Sequence, residues 1–248
     1  LIGKRISKAW ATEQHFYFTI QFSEAFNKSE FRKDEKGKPS KLVLEFGHVN
    51  PELLIKVGMS AVDIEGAKKN LKAEMPEWNF NTYREMCETT WDEELSKIEI
   101  SGNNTNDRTI FYTALYHSYL NPNTFSDNDG RYRGMDQKIH QTGGRDQYTV
   151  FSLWDTFRAT HPLFTITQEK RTRDFIHTFL AQYRDGGILP IWELAGNYTG
   201  CMIGYHAIPV IVDAYVKGIR DFDHELALKA MIHSSSQNHL GLESYRQR

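Results

Sequence analysis

Gln168-Glu169-Lys170-Arg171-Thr172-Arg173-Asp174-Phe175-Ile176-His177-Thr178-Phe179-Leu180-Ala181-Gln182-Tyr183-Arg184-Asp185-Gly186-Gly187 is the stretch on which the fold turns. Phe175, Ile176, Phe179, Leu180 and Tyr183 recur at the spacing of one helix face, and the paired glycines stop the run. Working outward, helix, glycine-containing loop and helix recur. Toward the C-terminus, Ala207 to Lys217 stops at Gly218, and Asp223 to Ser234 follows. Toward the N-terminus, Leu153 to Ala159 reads as helix, as does Asp107 to Leu120. The latter has Ile110, Phe111, Ala114, Leu115 and Ser118 on one face and Asn104, Thr105 and Asn106 as caps. Ala67, Leu71 and Met75, then Met86, Thr90 and Leu95, extend the helical period back to Ile64.

Before Ile64 the residue types change. Phe16-Tyr17-Phe18-Thr19-Ile20-Gln21-Phe22 and Leu42-Val43-Leu44-Glu45-Phe46 are rich in aromatic and branched residues that suit strands. Asn27 to Ser40, charged and carrying Gly37 and Pro39, is the linker between them and reads as a hairpin or a sheet-to-sheet loop. A third segment, Glu52 to Gly58, ends at a glycine that suits a turn. Strands followed by serial helical hairpins predict an α+β multidomain chain, a sandwich docked on a helical array. The divisions fall at 1–62 for the β segment, 63–100 for a helical linker and 101–248 for the array.

The chain has 248 residues, 40% hydrophobic and 25% charged, with 30 Lys+Arg against 32 Asp+Glu, which describes a folded protein and excludes disorder and coiled coil. The near-neutral balance argues against nucleic acid as a partner, because phosphate binding scales with clustered Lys and Arg. No apolar run approaches the roughly 18 to 20 residues of a membrane span. Cys87 and Cys201 form no CxxC, and no HExxH is present, so the sequence supports no zinc site. Asp127-Asn128-Asp129-Gly130 begins like a calcium hand, but Lys138 stands where the hand needs its glutamate; a turn at Gly130 before a strand at Arg131-Tyr132-Arg133 is simpler. The termini, Leu1-Ile2-Gly3 and Tyr245-Arg246-Gln247-Arg248, both read as cut ends.

Two clusters could carry chemistry. In Tyr148-Thr149-Val150-Phe151-Ser152-Leu153-Trp154-Asp155-Thr156-Phe157-Arg158 an indole, a carboxylate and a guanidinium fall within five positions, with Trp154 and Arg158 one helical turn apart. An indole face covers the apolar face of a pyranose, and a carboxylate accepts paired hydrogen bonds from vicinal hydroxyls. The alternative is a core tryptophan with Asp155 as a helix cap paired to Arg158. The second cluster, Ile188 to Met202, holds Trp192 and Glu193 in a polar, aromatic loop. There Glu193 could be an acid whose pKa is raised by apolar walls, or a cap, or an ion-pair partner.

Tyr148 through Leu163 resembles the signature of glycoside hydrolase family 92, exo-acting α-mannosidases. The likeness continues through Gly187-Ile188-Leu189-Pro190-Ile191-Trp192-Glu193-Leu194-Ala195, Gly200-Cys201-Met202-Ile203-Gly204-Tyr205-His206 and Ala214 to Gly218. It extends back through Tyr112 to His117 and Phe125 to Gly134. The resemblance implies an N-terminal β-sandwich segment followed by an incomplete (α/α)6 toroid, with the site where the two meet. It also implies calcium-dependent, inverting hydrolysis of terminal α-linked mannose from N-glycans or mannans, and export to the periplasm or outside the cell. Inverting chemistry needs an acid and a base roughly 6.5 to 9.5 Å apart. By the resemblance both lie beyond Arg248, as do most of the calcium ligands, so no catalytic residue is assigned here and this stretch alone is expected to be inactive. Trp154 and Asp155 match the family's contribution to the mannose-binding subsite; Arg158, Trp192 and Glu193 are candidates for lining the same pocket. A glycan-binding module without hydrolysis is the alternative, and a helical scaffold with both clusters in its core is a third reading.

Overall fold

The structure, a computed structural model, describes residues 1–47, 49, 52–238, 243 and 247. After β1 (Ile2–Ser7) and β2 (Gln14–Phe22) come β3 (Phe26–Lys33) and β4 (Pro39–Phe46), paired as an antiparallel hairpin, and then β5 (Ile55–Ser60). β1, β2 and β5 form an antiparallel sheet in that order, with Ile20 opposite Val57 and Thr19 opposite Gly58. Much of the expected charged linker is therefore strand. Both faces of β3 are solvated, so charge costs it nothing. The turn is confined to the residues around Asp34, whose carboxylate accepts from the backbone N–H groups of Lys36 and Lys38, both at 2.9 Å.

Gly58 is not a turn residue but lies inside β5, where α1 (Ile64–Glu74) crosses the sheet. A Cβ there would stand 2.3 Å from the Ala67 carbonyl oxygen and 2.6 Å from Leu71 Cβ, so the glycine admits the helix backbone. α1 starts where Asp63 accepts from the Gly66 N–H at 2.6 Å, and it buries Ala67 and Leu71 against the sheet. The opposite face of β5 leaves Ile55, Val57 and Met59 exposed.

α2 (Phe80–Leu95) and α3 (Thr105–Ser118) follow, the latter capped by Asn104 as the sequence predicts. Of the face expected on α3 only Leu115 is buried; Ile110 stays 67% exposed, because the helix meets the core along Leu115 and the adjoining Tyr119. Short strands then prepare the site: β6 (Asn123–Thr124), β7 (Arg131–Arg133), β8 (Ile139–Gln141), β9 (Tyr148–Thr149) and β10 (Phe151–Ser152). The turn predicted at Gly130 is present, with the Gly130 N–H donating to the Asp127 carbonyl at 2.8 Å.

The helix expected over Leu153 to Ala159 is a single turn, α4 (Leu153–Thr156), followed by α5 (Thr160–Thr167). The sequence spacing did not reveal α5, which is threonine-rich. Its Pro162 falls in the first turn, where the missing N–H is not needed. α6 (Glu169–Gly186) ends at Gly187, whose φ of 84° is the left-handed cap that the paired glycines predict. Its apolar stripe, Phe175, Ile176, Phe179 and Leu180, is the centre of the core. β11 (Trp192–Leu194) and β12 (Asn197–Tyr198) make a hairpin, then α7 (Ala207–Val216) and α8 (His224–Ser236) pack against α6.

Candidate functional site

The two sequence clusters, some forty positions apart, meet through one strand pair. β10 lies antiparallel to β11, with Phe151 opposite Glu193 and Ser152 opposite Trp192, and β12 completes a three-stranded sheet. Because neighbours along a strand point to opposite faces, Phe151 and Glu193 share one face and Ser152 and Trp192 the other. Phe151 enters the core beside Phe175 and Phe179, with ring centroids 5.7 and 4.9 Å away. The partition of the two faces follows from that anchor. Val150, just before Phe151, has φ +68°, a region that a β-branched residue seldom enters. It sits where the chain turns from β9 into β10.

On the outer face the chain passes from Ser152 directly into α4, so Trp154 and Asp155 rise from the strand end. The Ser152 hydroxyl donates to the Asp155 carboxylate, which is exposed. Asp155 makes no cap: Ser152 holds the N-cap position of α4, and no side chain bonds the first-turn amides. Trp154 is half-buried. The Arg158 guanidinium lies over its ring at 4.5 Å and donates to the Trp154 carbonyl, which realises the predicted one-turn pair. The same guanidinium is 4.7 Å from the Phe157 ring, which packs on His206 at 4.3 Å. Burial and the nearby Arg158 charge lower the pKa of His206. An indole, a carboxylate and a cation therefore face solvent together, with Trp192 half-buried on the strand beside them.

Glu193 goes the other way. It is fully buried, and Oε1 accepts from the Thr149 hydroxyl at 2.9 Å and the Gly196 N–H at 2.7 Å. Burial pushes its carboxyl up to about 7, against the donors of Gly196, Thr149, Val150 and Gln182, which favour the charge. The elevated pKa expected of apolar walls is present, but the carboxyl is enclosed. It stands behind the surface that carries Trp192, and it does not line that surface.

Two contributors had no clear sequence signal. Trp10, in the loop between β1 and β2, meets the Trp192 ring edge-on at 5.5 Å and is 61% exposed. Thr12 and the Glu13 N–H both donate to Asn197 Oδ1 at 3.0 Å, which ties that loop to β12. The N-terminal sheet thus reaches the site through one loop. His206 lies within a stretch that carried the family likeness, but its contact with Phe157 is long-range and invisible to local spacing.

Among the described residues one group of metal-ligating side chains comes together, Asp136, His140 and Asp185, with ligand atoms within 4.8 Å of one another. His140 Nε2 already bonds Asp136 at 2.9 Å, and the Tyr132 hydroxyl donates to Asp185 at 3.4 Å. At the Trp154 surface Asp155 is the carboxylate on offer. Calcium takes about six to eight oxygens, so the described residues there do not fit a calcium site by themselves.

The chain matches the description "Glycosyl hydrolase family 92 catalytic domain" over residues 66–248. It belongs to that family. Among solved structures it is similar to a family 92 α-mannosidase from Bacteroides thetaiotaomicron, with a TM-score of 0.90 and 36% identity, over 99% of this chain and 36% of that one. The same enzyme has been solved in complex with mannoimidazole. A family 92 inverting mannosidase from Bacteroides thetaiotaomicron aligns with a TM-score of 0.85 and 26% identity, over 99% of this chain and 36% of that one. Among curated proteins, an uncharacterized secreted glycosidase of Arthroderma benhamiae is 26% identical over 182 residues, 71% of this chain and 19% of the relative. The chain thus spans about a third or less of the proteins it matches.

Proposed function

We propose that the full-length protein carrying this chain is an inverting exo-α-mannosidase, acting on terminal α-linked mannose of N-glycans or mannans, and that this chain supplies one wall of its sugar site. The observation that carries the reading is the Ser152–Trp192 strand pair. It brings the chain that enters the exposed Asp155 and the half-buried Trp154 alongside the half-buried Trp192, which supports reading the three as one surface. In this reading Asp155 accepts from vicinal hydroxyls while an indole covers the apolar face of the ring. Arg158 fixes the Trp154 plane, and Glu193 supports β11 from behind. Membership of family 92 and the mannosidase relatives support the choice of mannose.

The proposed architecture is a β-sandwich segment at 1–62, a linker at 63–100 and part of an (α/α)6 toroid at 101–248. It is supported by the apolar side chains left outward on both halves. Ile55, Val57 and Met59 on the sheet, and Val216, Leu228 and Ile232 on α7 and α8, are surfaces that further strands and helices would cover. Calcium is part of the proposal, with most ligands from outside this stretch; when bound it would engage sugar hydroxyls, and Asp155 is the residue here nearest to that role in kind. Export to the periplasm or medium is proposed from the family and from the secreted relative. No helix among the described residues is long and apolar enough to cross a membrane.

The test is hydrolysis of an α-mannobiose panel by the full-length protein, with calcium and with chelator, following the anomer of released mannose by NMR. Calcium-dependent release of β-mannose is expected. A folded protein that binds mannosides without releasing mannose from any linkage would overturn the hydrolase reading in favour of a binding module.

A further inference from the structure

Glu193 is the fully buried carboxyl at the junction of the site's two strands, and in the proposed recognition it touches no sugar group. Its Oε1 is saturated by Thr149 and Gly196, but Oε2 is buried with no hydrogen-bond partner. Gln182, on α6, interacts with this carboxyl, and its own Oε1 is also buried without a partner. Two orphan acceptors on neighbouring side chains are costly in a dry interior, where water cannot satisfy them. A proton on Oε2 removes the first of these orphans. The carboxyl gains a donor, and the Gln182 amide, whose two ends interchange by rotation, has an acceptor to offer it.

The Thr149 hydroxyl oxygen also accepts from the Ala195 N–H at 2.6 Å, so Glu193, Thr149 and the β11–β12 turn form one hydrogen-bonded knot. We propose that Glu193 is a positioning residue that works in its protonated form, fastening β9, β11 and α6 together so that Trp192 and the adjoining Trp154–Asp155 surface keep their arrangement. The groups facing it are Thr149 on β9, the backbone of Val150 before β10, Gly196 in the β11–β12 turn and Gln182 on α6, none of them charged. That set offers hydrogen-bond donors but no cation, and burial outweighs those donors, so ionisation loosens the knot and with it the sugar surface.

The proposal rests on the sugar-site reading, and its test separates the two. The full-length protein and its Glu193→Gln variant are titrated with mannoimidazole from about pH 6 to about pH 8, alongside difference infrared spectroscopy of the protonated-carboxyl stretch. If only the protonated form holds the site, wild-type affinity falls about tenfold over that range, since apparent affinity scales with the competent fraction. Glu193→Gln, permanently neutral and nearly isosteric, keeps the affinity that wild type shows at the acid end. The infrared band titrates near pH 7 in wild type and is missing in the variant. Equal pH profiles in the two proteins would overturn the proposal, as would the absence of a Glu193 band. Failure of both proteins to bind the inhibitor, with the wild-type band intact, would instead break the sugar-site reading and leave the protonated carboxyl standing, whereas loss of binding in Glu193→Gln alone would overturn the proposal.

Discussion

Trp154-Asp155 and Trp192-Glu193 are the same pair of residue types, an indole followed by an acid, and they end in opposite surroundings. Asp155 is exposed, and Glu193 is fully buried. The first pair opens a helical turn, where consecutive side chains are about 100° apart and can share one side. The second lies on a strand, where consecutive side chains point 180° apart, so one must go inward. Opposite Glu193 stands Phe151, already committed to the core, which settles that the acid is the inward one. A dipeptide that looks like a sugar platform is therefore exposed or buried according to the element that carries it.

The strongest way to break the comparison is to remove what sorts the two faces. Phe151→Ala in the full-length protein should cost about 3–5 kcal/mol of stability, from lost burial and the cavity left beside Phe179. Denaturant unfolding measures it, and a cost within the range of a surface substitution would mean that the strand pair is sorted by something else. Glu193→Ala should cost about 2–4 kcal/mol, because the Thr149 hydroxyl and the Gly196 N–H lose their acceptor and a void opens.

Asp155→Ala is the mirror experiment. Stability should stay within about 0.5 kcal/mol, as for an exposed side chain. Mannoside affinity should drop about tenfold to a hundredfold, the worth of hydrogen bonds to a charged acceptor, read by calorimetric titration. A stability loss with binding intact would place Asp155 among scaffold residues.

Acidity sharpens the contrast without truncation. Glu193 has a folded pKa of about 7 against an ordinary 4.5, so the folded state holds its proton more tightly than the unfolded chain. The difference in stability between wild type and Glu193→Gln should therefore shift against wild type as pH rises from about 4.5 to about 7 and level off above that. Paired thermal melts across pH would show it, and a flat difference would mean that the carboxyl does not change charge between those limits. The smallest effect belongs to Arg158→Ala, about 0.5–1 kcal/mol from the lost contact with the Trp154 ring. Its visible consequence should be a change in Trp154 fluorescence, and an unchanged spectrum would remove Arg158 from the surface.

How much was legible in the sequence varied with the range of the physics involved. The α6 stripe, the cap at Gly187, the Asn104 cap of α3 and the strand at Phe16 to Phe22 were all readable, because each depends on residues within a few positions. β3 was hidden because its residues are charged, and charge forbids a strand only when a face is buried. Gly58 read as a turn because nothing local announces that the α1 backbone crosses it. α5 escaped because its threonines and Pro162 are poor helix formers, outweighed by the burial of Phe164 and His161. At the site, Trp154, Asp155 and Arg158 were legible as a group, while Trp10 was not, since it arrives from a different sheet.

By itself the sequence determined where helices begin and end, which stripe of α6 is apolar and which motif stretches carry the family likeness. Those are properties of periodicity, capping and residue type, which act over a turn or two of chain. Only the tertiary structure decided that Ser152 faces Trp192 and that Trp10 closes on them. It also decided that of two neighbouring acids one meets solvent and the other is enclosed. The reason is that facing is relative: a strand offers two equivalent sides, and the side that becomes inside is fixed by partners that lie dozens of residues away.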